Sequence, residues 1–576
     1  MKQLARFLAP YKKECILGPI CKLTEAILEL LIPTMMAMMI ENGVKKGNTS
    51  YIWMMGGLLL LVTVCGYGSA FVCQYYASRA SQGFGTSLRS EVFHHISRLS
   101  PKEHDRFSSS SLINRLTTDI NQLQQAVAMS IRLLSRVPFI CIGSIIMAFL
   151  LDAQLAIVFV VSVPVFCVVI WLLMKKTSPL YRRYQKKLDA VGGQVKENLS
   201  GQRVIRAFSK EGYQEQKFEE KSTELTDDML RVARMSALSS PLTGLCINLA
   251  VAAIVWFGGI GANAGEISQG NIMACINYMS YILLALMVAS NLVVLLTKAG
   301  ASLQRVLEVL NTQSSIPLDE GQTQTAGSGP LLQFEQVDFR YHRTGELVLH
   351  GITFSLNRGE TLGIIGGTGS GKSTLVSLIP RLYSASGGRV LFDGTDIKTL
   401  NPAYLRGRVS MVPQKALLFS GTIRDNIRFG RPDADGETVY KAAQISQSLE
   451  FIEQFPDGFD HRVERGGQNL SGGQRQRLSI ARGVCTAPEL LILDDASSAL
   501  DFATDAALRK ALKTQLSGTA VITVSQRAGA VMHCDRVLVL DDGEQVGLGT
   551  HEQLLESCPV YREICLSQHV VQEVGA

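Results

Sequence analysis

A glycine-rich run, Gly366-Gly367-Thr368-Gly369-Ser370-Gly371-Lys372-Ser373-Thr374, is the first place where residue types and spacing imply chemistry. Glycines let successive backbone N–H groups curve round a phosphate, and a helix that starts at the end of such a loop adds its own amino-terminal donors. Lys372 would then reach the outer phosphates of a nucleoside triphosphate, and the Ser373 hydroxyl would supply an oxygen to Mg²⁺. Thr361 to Ile365 reads as a buried strand running straight into the loop, which is the strand–loop–helix context the motif requires. Leu490-Leu491-Ile492-Leu493 reads as a central parallel strand that delivers Asp494 at its carboxyl end, where ligands of open α/β sheets collect. On its own an aspartate after an apolar run says little. Placed after a phosphate loop, it becomes a candidate Mg²⁺ ligand.

Between these two lies Leu470-Ser471-Gly472-Gly473-Gln474, followed by the basic helical segment Arg475-Gln476-Arg477. Small residues at a helix start again offer donors to a phosphate. With LSGGQ in this position the chain resembles the ATP-binding cassette (ABC) family, over essentially its whole length, in the exporter branch that places the membrane domain first. The resemblance implies that Tyr341 stacks on adenine and that Gln414 senses Mg²⁺ and contacts the membrane domain. It further implies that Ser498-Ala499-Leu500-Asp501 is the D-loop, and that Phe107 to Arg115 and Phe208 to Gly212 are coupling helices. In the family, Ser471, Gly472, Gly473 and Gln474 complete the ATP site of an opposing cassette, so one chain alone makes no complete site. Read without the resemblance, Tyr341 could be a strand aromatic packed on the core and Gln414 an ordinary polar residue at a strand end. His533 and His551 read as structural.

Two positions depart from the family pattern. Glu normally follows the strand-end Asp as the base that orients attacking water, and here the residue is Asp495, one methylene shorter. Displacements of that order cost about 10²-fold in rate. The strand Ala520 to Val524 should lead to a switch His that bonds the γ-phosphate, but Ser525-Gln526-Arg527 follows, with Gln526 in its place. An amide can hydrogen-bond phosphate yet cannot carry a proton as imidazole does. Both changes fall in the hydrolytic apparatus while Lys372, Ser373 and Asp494 remain. The pattern resembles the degenerate subunit of a heterodimeric exporter.

These residues need elements to hold them, and composition says what kind. The 576 residues are 47% hydrophobic and only 18% charged, with mean hydropathy +0.17, values unusual for a soluble protein. Long uncharged runs crowd the first 300 residues, and the last 250 read as an ordinary α/β domain. Crossing about 30 Å of hydrocarbon takes roughly 20 apolar helical residues. Six candidate spans emerge, at about 15–40, 52–77, 130–151, 155–174, 241–262 and 272–297. The first is interrupted by Lys22, Glu25 and Glu29, which share one helix face. That face suits either a ligand pathway or an aqueous vestibule. Met35, Met36, Met38 and Met39 follow it, with Met279 and Met287 in the last span, and read as apolar filler.

Arg79 to Arg136 carries eight basic residues and Lys175 to Arg234 fourteen, against Lys45 and Lys46 on the other side. By the positive-inside rule these segments are cytoplasmic, as are both termini, the first marked by Lys2, Arg6, Lys12 and Lys13. Segments this long with few Gly or Pro breakers are expected to continue the membrane helices outward and to close with short turns, a separate small domain being the alternative. The net charge of +6 is not arranged as a basic stripe with interleaved aromatics, so no nucleic-acid partner is expected, and the twelve cysteines form no C-x-x-C pair.

The expected fold is therefore an α-helical six-span transmembrane domain (1–310) with long cytoplasmic helical extensions, a Gly/Ser/Thr-rich linker (311–329), and an α/β P-loop ATPase domain (330–576). The expected protein is a multi-pass exporter subunit of the cell membrane, using ATP and Mg²⁺. Its expected partners are the bilayer, a second half-transporter and a small hydrophobic substrate. A slow homodimer, or an ATP-gated regulator or channel without pumping, remain as alternatives.

Overall fold

The computed structural model describes residues 6–318, 320–327, 329–342 and 344–569. Lys2 of the basic amino terminus and the ends of the expected domains lie outside that set. The chain divides into two compact units, one made of Met1–His94 with Ser110–Asn311 and the other of His95–Ser109 with Thr312–Ala576.

The first unit is all helix. Its elements are α1 (Lys12–Met39) and α2 (Thr49–Ser97), then, after the short α3 (Pro101–Phe107), α4 (Ser109–Leu151), α5 (Ala153–Ser200), the short α6 (Gln202–Ala207), α7 (Glu211–Asn263) and α8 (Gln269–Asn311). Among the described residues five helices, α2, α4, α5, α7 and α8, are long and apolar enough to cross a membrane. Much of their apolar surface faces outward, with Trp53 82% and Leu150 75% exposed, the arrangement that lipid solvent favours and water does not. Their interior surfaces close on a dry core that includes Phe159, Phe166, Ile254, Tyr278 and Met279. The buried Tyr278 hydroxyl is satisfied by the carbonyl of Leu30 at 2.6 Å and the Thr34 hydroxyl at 2.7 Å, so it carries no desolvation penalty. The three charges that interrupt the apolar run of α1 are paired: Lys22 with Glu25 at 2.6 Å, and Glu29 with Arg136 of α4 at 2.7 Å.

The long segments between spans are helical, α2 and α5 running 49 and 48 residues without interruption. A helix break falls inside each expected turn, at Ser108 and at Phe208 to Lys210, and a short helix precedes each break. The first short helix, α3, lies just before the expected Phe107 to Arg115 turn, because Pro101 cannot continue α2 and pushes Ser100 into an extended conformation (ψ 162°). Ser108, at φ 58°, then turns the chain into α4. The second short helix, α6, follows Gly201 and runs into the expected Phe208 to Gly212 turn, which Ser209 makes at φ 50° before α7 starts at Glu211.

The second unit holds a ten-stranded sheet made of β1 (Leu332–Phe339), β2 (Leu349–Leu356), β3 (Thr361–Gly366), β4 (Gly387–Phe392), β5 (Thr395–Asp396), β6 (Val409–Val412), β9 (Leu490–Asp494), β10 (Ala520–Val524), β11 (Arg536–Asp541) and β12 (Glu544–Gly549). A separate short ladder joins β7 (Gly421–Thr422) to β8 (Arg462–Val463). The order is β5-β4-β1-β2-β12-β11-β3-β10-β9-β6, with β11, β3, β10, β9 and β6 parallel. Every residue of β9 is buried, as expected of a strand covered on both faces. The chain after α8 lies against this domain: the Gln322 N–H donates to the Thr399 carbonyl at 2.8 Å, and the Thr325 hydroxyl to Asp393 at 2.6 Å. Here α3 is held too, with the Tyr383 hydroxyl donating to Asp105 at 2.8 Å.

Among the described residues the tightest approach of a glycine to backbone in the helical unit is at Gly270, where an added Cβ would lie 2.5 Å from the Ala37 carbonyl oxygen and 2.9 Å from its Cα. Backbone cannot yield as a side chain does. Gly270→Val should cost about 1–3 kcal/mol, whereas Gly244→Val, with open space round its Cβ, should be tolerated; thermal unfolding of the two detergent-purified variants is the check.

Candidate functional site

The loop after β3 closes on itself through Lys372, the first residue of α9 (Lys372–Leu378). Its ammonium donates to the Gly366 carbonyl at 2.8 Å, the Gly367 carbonyl at 2.5 Å and the Ser370 hydroxyl at 3.3 Å. Gly371, at φ 91°, turns the chain into the helix through a conformation that side chains resist. An added Cβ there would also meet Leu349 at 2.7 Å. The result is a helix amino terminus facing a cleft of about 270 Å³, with a cation at its base.

Parallel pairing sets the other residues at the same level. Val524 of β10 stands beside Ile364 of β3 and Asp494 of β9, so three strand ends open into one cleft. Asp494 is 5% exposed, and its Oδ1 accepts from the Ser373 hydroxyl at 3.0 Å. Burial pushes its carboxyl above the usual range, Asp495 adds to the push, and Ser373 and Lys372 oppose it. Burial likewise holds the Lys372 ammonium below its ordinary value. A buried carboxylate beside a hydroxyl offers hard oxygen donors, and the expected set of Ser373, Asp494 and Gln414 fits Mg²⁺ in chemical type.

Asp495 sits at φ 48°, a left-handed position with a non-glycine residue, fixed by its N–H donating to the Val524 carbonyl at 2.9 Å. Its carboxylate accepts from the Gln414 amide at 3.0 Å, and the Gln526 amide oxygen accepts from the Thr368 hydroxyl at 3.4 Å. Lys372, Ser373, Thr374, Gln414, Asp494, Asp495 and Gln526 thus line one cleft. Tyr341 reaches it through its hydroxyl, 2.9 Å from that of Thr374, while its ring packs edge-on against Phe339 and Tyr383. Half exposed, the ring has one side on the core and one free.

Ser471, Gly472, Gly473, Gln474 and Asp501 do not line this cleft. Ser471 caps α10 (Gly472–Cys485) in a reciprocal box: its hydroxyl accepts the Gln474 N–H, and the Gln474 side chain accepts the Ser471 N–H. Asp501 caps α11 (Phe502–Gln515) by accepting from Thr504 N–H at 2.9 Å. Gln474 and Asp501 therefore have structural work whatever else they touch. Three lining residues escaped the sequence reading: Val348, Val524 and Ser525. Val524 and Ser525 were legible as neighbours of Gln526 at a strand end. Val348 carries no motif, and only folding brings it there.

Known proteins bear on this arrangement. Residues 15–286 match the family described as ABC transporter transmembrane region, and residues 349–498 match that described as ABC transporter. An ABC transporter ATP-binding protein of Mycobacterium tuberculosis is 37% identical, over 99% of each chain. An ATP-dependent lipid A-core flippase of Chromohalobacter salexigens is 33% identical over 97% of this chain and 96% of its own. A putative multidrug export ATP-binding/permease protein of Bacillus subtilis is 29% identical over 99% of each. The solved structure of a bacterial Atm1-family ABC exporter with ATP bound superposes with a TM-score of 0.79 over 99% of each chain, at 21% identity, a likeness of fold.

The raised carboxyl of Asp494 has a consequence for stability. Unfolded, it ionises near its ordinary value of 3.8; folded, it ionises at higher pH. Stability is thus greatest while both states are protonated, and is lost as pH rises through the folded value. Asp494→Asn, which cannot ionise, should melt above the parent at pH 7 without nucleotide, by about 2–4 °C per kcal/mol of desolvation relieved. The gap should shrink toward pH 4, and differential scanning fluorimetry across that range tests the sign.

Proposed function

We propose, from the premise that this chain belongs to the ABC transporters as a half-transporter with membrane region and ATPase in one polypeptide, that it is the degenerate-site subunit of a heterodimeric exporter. The observation that carries this is the mixed state of the cleft. Lys372, Ser373 and Asp494, the nucleotide- and Mg²⁺-holding set, meet in one place, while Asp495 and Gln526 stand where the family has Glu and His. Asp495 is turned toward Gln414 by a left-handed backbone, and its carboxylate reaches one methylene less far toward an attacking water than a glutamate would. Gln526 can accept and donate at the γ-phosphate but cannot relay a proton. The site as built holds ATP better than it cleaves it.

The separation of Ser471, Gly472 and Gly473 from the cleft supports a second half. Their helix start offers N–H donors that the chain's own phosphate loop does not use, which suits ATP held by a partner's loop. Six spans follow if α1 is added to the five apolar helices; the pairing of Lys22 with Glu25 and of Glu29 with Arg136 lowers the cost of burying its charges. With the basic segments inside, both termini and the ATPase face the cytoplasm. A hydrophobic or amphipathic substrate, moved outward as paired ATPase domains close, suits the relatives whose names speak of lipid and multidrug export.

The test is steady-state ATPase activity of the reconstituted pair. Asp495→Asn should change turnover less than about tenfold, whereas replacing the partner's corresponding base should remove about 10²- to 10⁴-fold. Damage to Ser471 or Gly473 should fall on the same side as the partner's base. Equal, severe losses from Asp495→Asn and from the partner's base would establish two working sites and overturn the degenerate assignment.

A further inference from the structure

The ATPase domain has a second cleft, of about 620 Å³, that shares no lining residue with the phosphate cleft. It opens between α11 and α12 (Ala528–Val531), over β10. Its floor is apolar: Leu512 and Leu516 from the α11 side, Val521 from β10 and Ala530 from α12. Burial, reinforced by Asp535, pushes the lining thiol of Cys534 up to about 12, as befits a dry wall. A volume in the range of about 300–1,000 Å³, apolar below and polar at the rim, is that of a small-molecule site.

The rim is cationic, and its charges are unequally committed. Arg509 already donates to the Gly529 carbonyl at 2.7 Å and pairs with Asp505 at 3.2 Å, tying α11 to α12. Asp535 also lines the cleft, but its carboxylate is engaged, accepting the Thr361 N–H at 2.8 Å and the Thr361 hydroxyl at 2.7 Å, and it meets the charge of Lys513 only at longer range. Lys510 and Lys513 remain, one helical turn apart on α11, both exposed and neither within ion-pair distance of a carboxylate among the described residues. Two exposed ammonium groups outside any salt bridge, over an apolar cavity, recognise an apolar body ending in negative charge.

We propose that this cleft binds a small amphipathic anion, an aromatic or short acyl body carrying one carboxylate, sulfonate or phosphate, with the body on Leu512, Leu516 and Ala530 and the head on Lys510 and Lys513. The site is independent of the export reading. An occupant would touch the helix that starts at Asp501 and the one that follows Gln526, so it would press on both segments flanking the hydrolytic cleft.

The full chain in phosphatidylcholine nanodiscs, with saturating Mg-ATP to fill the phosphate cleft, is photolabelled with 4-benzoylbenzoate, and in parallel with uncharged benzophenone. Adducts are mapped by peptide mass spectrometry. Saturable 4-benzoylbenzoate labelling within residues 506–535 is expected. The Lys510→Glu/Lys513→Glu double variant should lower it by about tenfold, the equivalent of one 1.4 kcal/mol contact, and leave benzophenone labelling there within about twofold. Ala506→Trp, which roofs the cleft, should remove labelling by both probes. Labelling that never saturates in this segment, that is equal in the charge-reversed chain, or that persists under the tryptophan overturns the assignment.

Discussion

Hydrogen-bonded register between parallel strands is the constraint from which the site follows. Val524 is level with Ile364 on one side and Asp494 on the other, and a slip of one residue in either ladder would turn every side chain on that strand to the opposite face. β9 is buried along its whole length, its leucines packing on both faces of the sheet. Loops that leave strand ends at one level necessarily converge. The phosphate loop, the two aspartates and Gln526 meet because Leu490–Asp494, Ala520–Val524 and Thr361–Gly366 cannot slide.

Convergence also sets the electrostatics. Burial pushes Asp494 toward its neutral form, with Asp495 adding to the push, and pushes Lys372 toward losing its proton against the opposing pull of the two carboxylates. Neither shift favours the apparatus by itself. A divalent cation and a polyphosphate reverse both, the cation favouring the ionised carboxylate and the phosphates the charged amine. The site is thus electrically incomplete in the direction its proposed ligands would complete.

Much of this could be read from the chain. The strand–loop–helix around Lys372, the strand ending at Asp494 and the long helices after each span are local patterns, set by periodicity, glycine and apolar runs. What escaped was decided by contacts between distant segments. Pro101 signals a helix start, yet that α3 belongs with the ATPase depends on Tyr383 meeting Asp105, which no local pattern carries. The shared face of Lys22, Glu25 and Glu29 was legible, but not that Arg136, more than a hundred residues on, takes Glu29. Gln474 reads as part of a nucleotide signature; its bond to the Ser471 N–H adds a capping role that the motif alone conceals.

The 48-residue α5 spans about 72 Å at 1.5 Å per residue. A rod of that length is a lever: tilting it by about 10° carries the far end some 12 Å while the near end barely shifts. Pro164 and Pro179 lie within it, each lacking an N–H for the preceding turn and each a point of reduced bending stiffness. The helix therefore has three nearly rigid lengths joined at two compliant points. Force applied at its polar end reaches the apolar end as rotation, and what is lost on the way is lost at those two prolines.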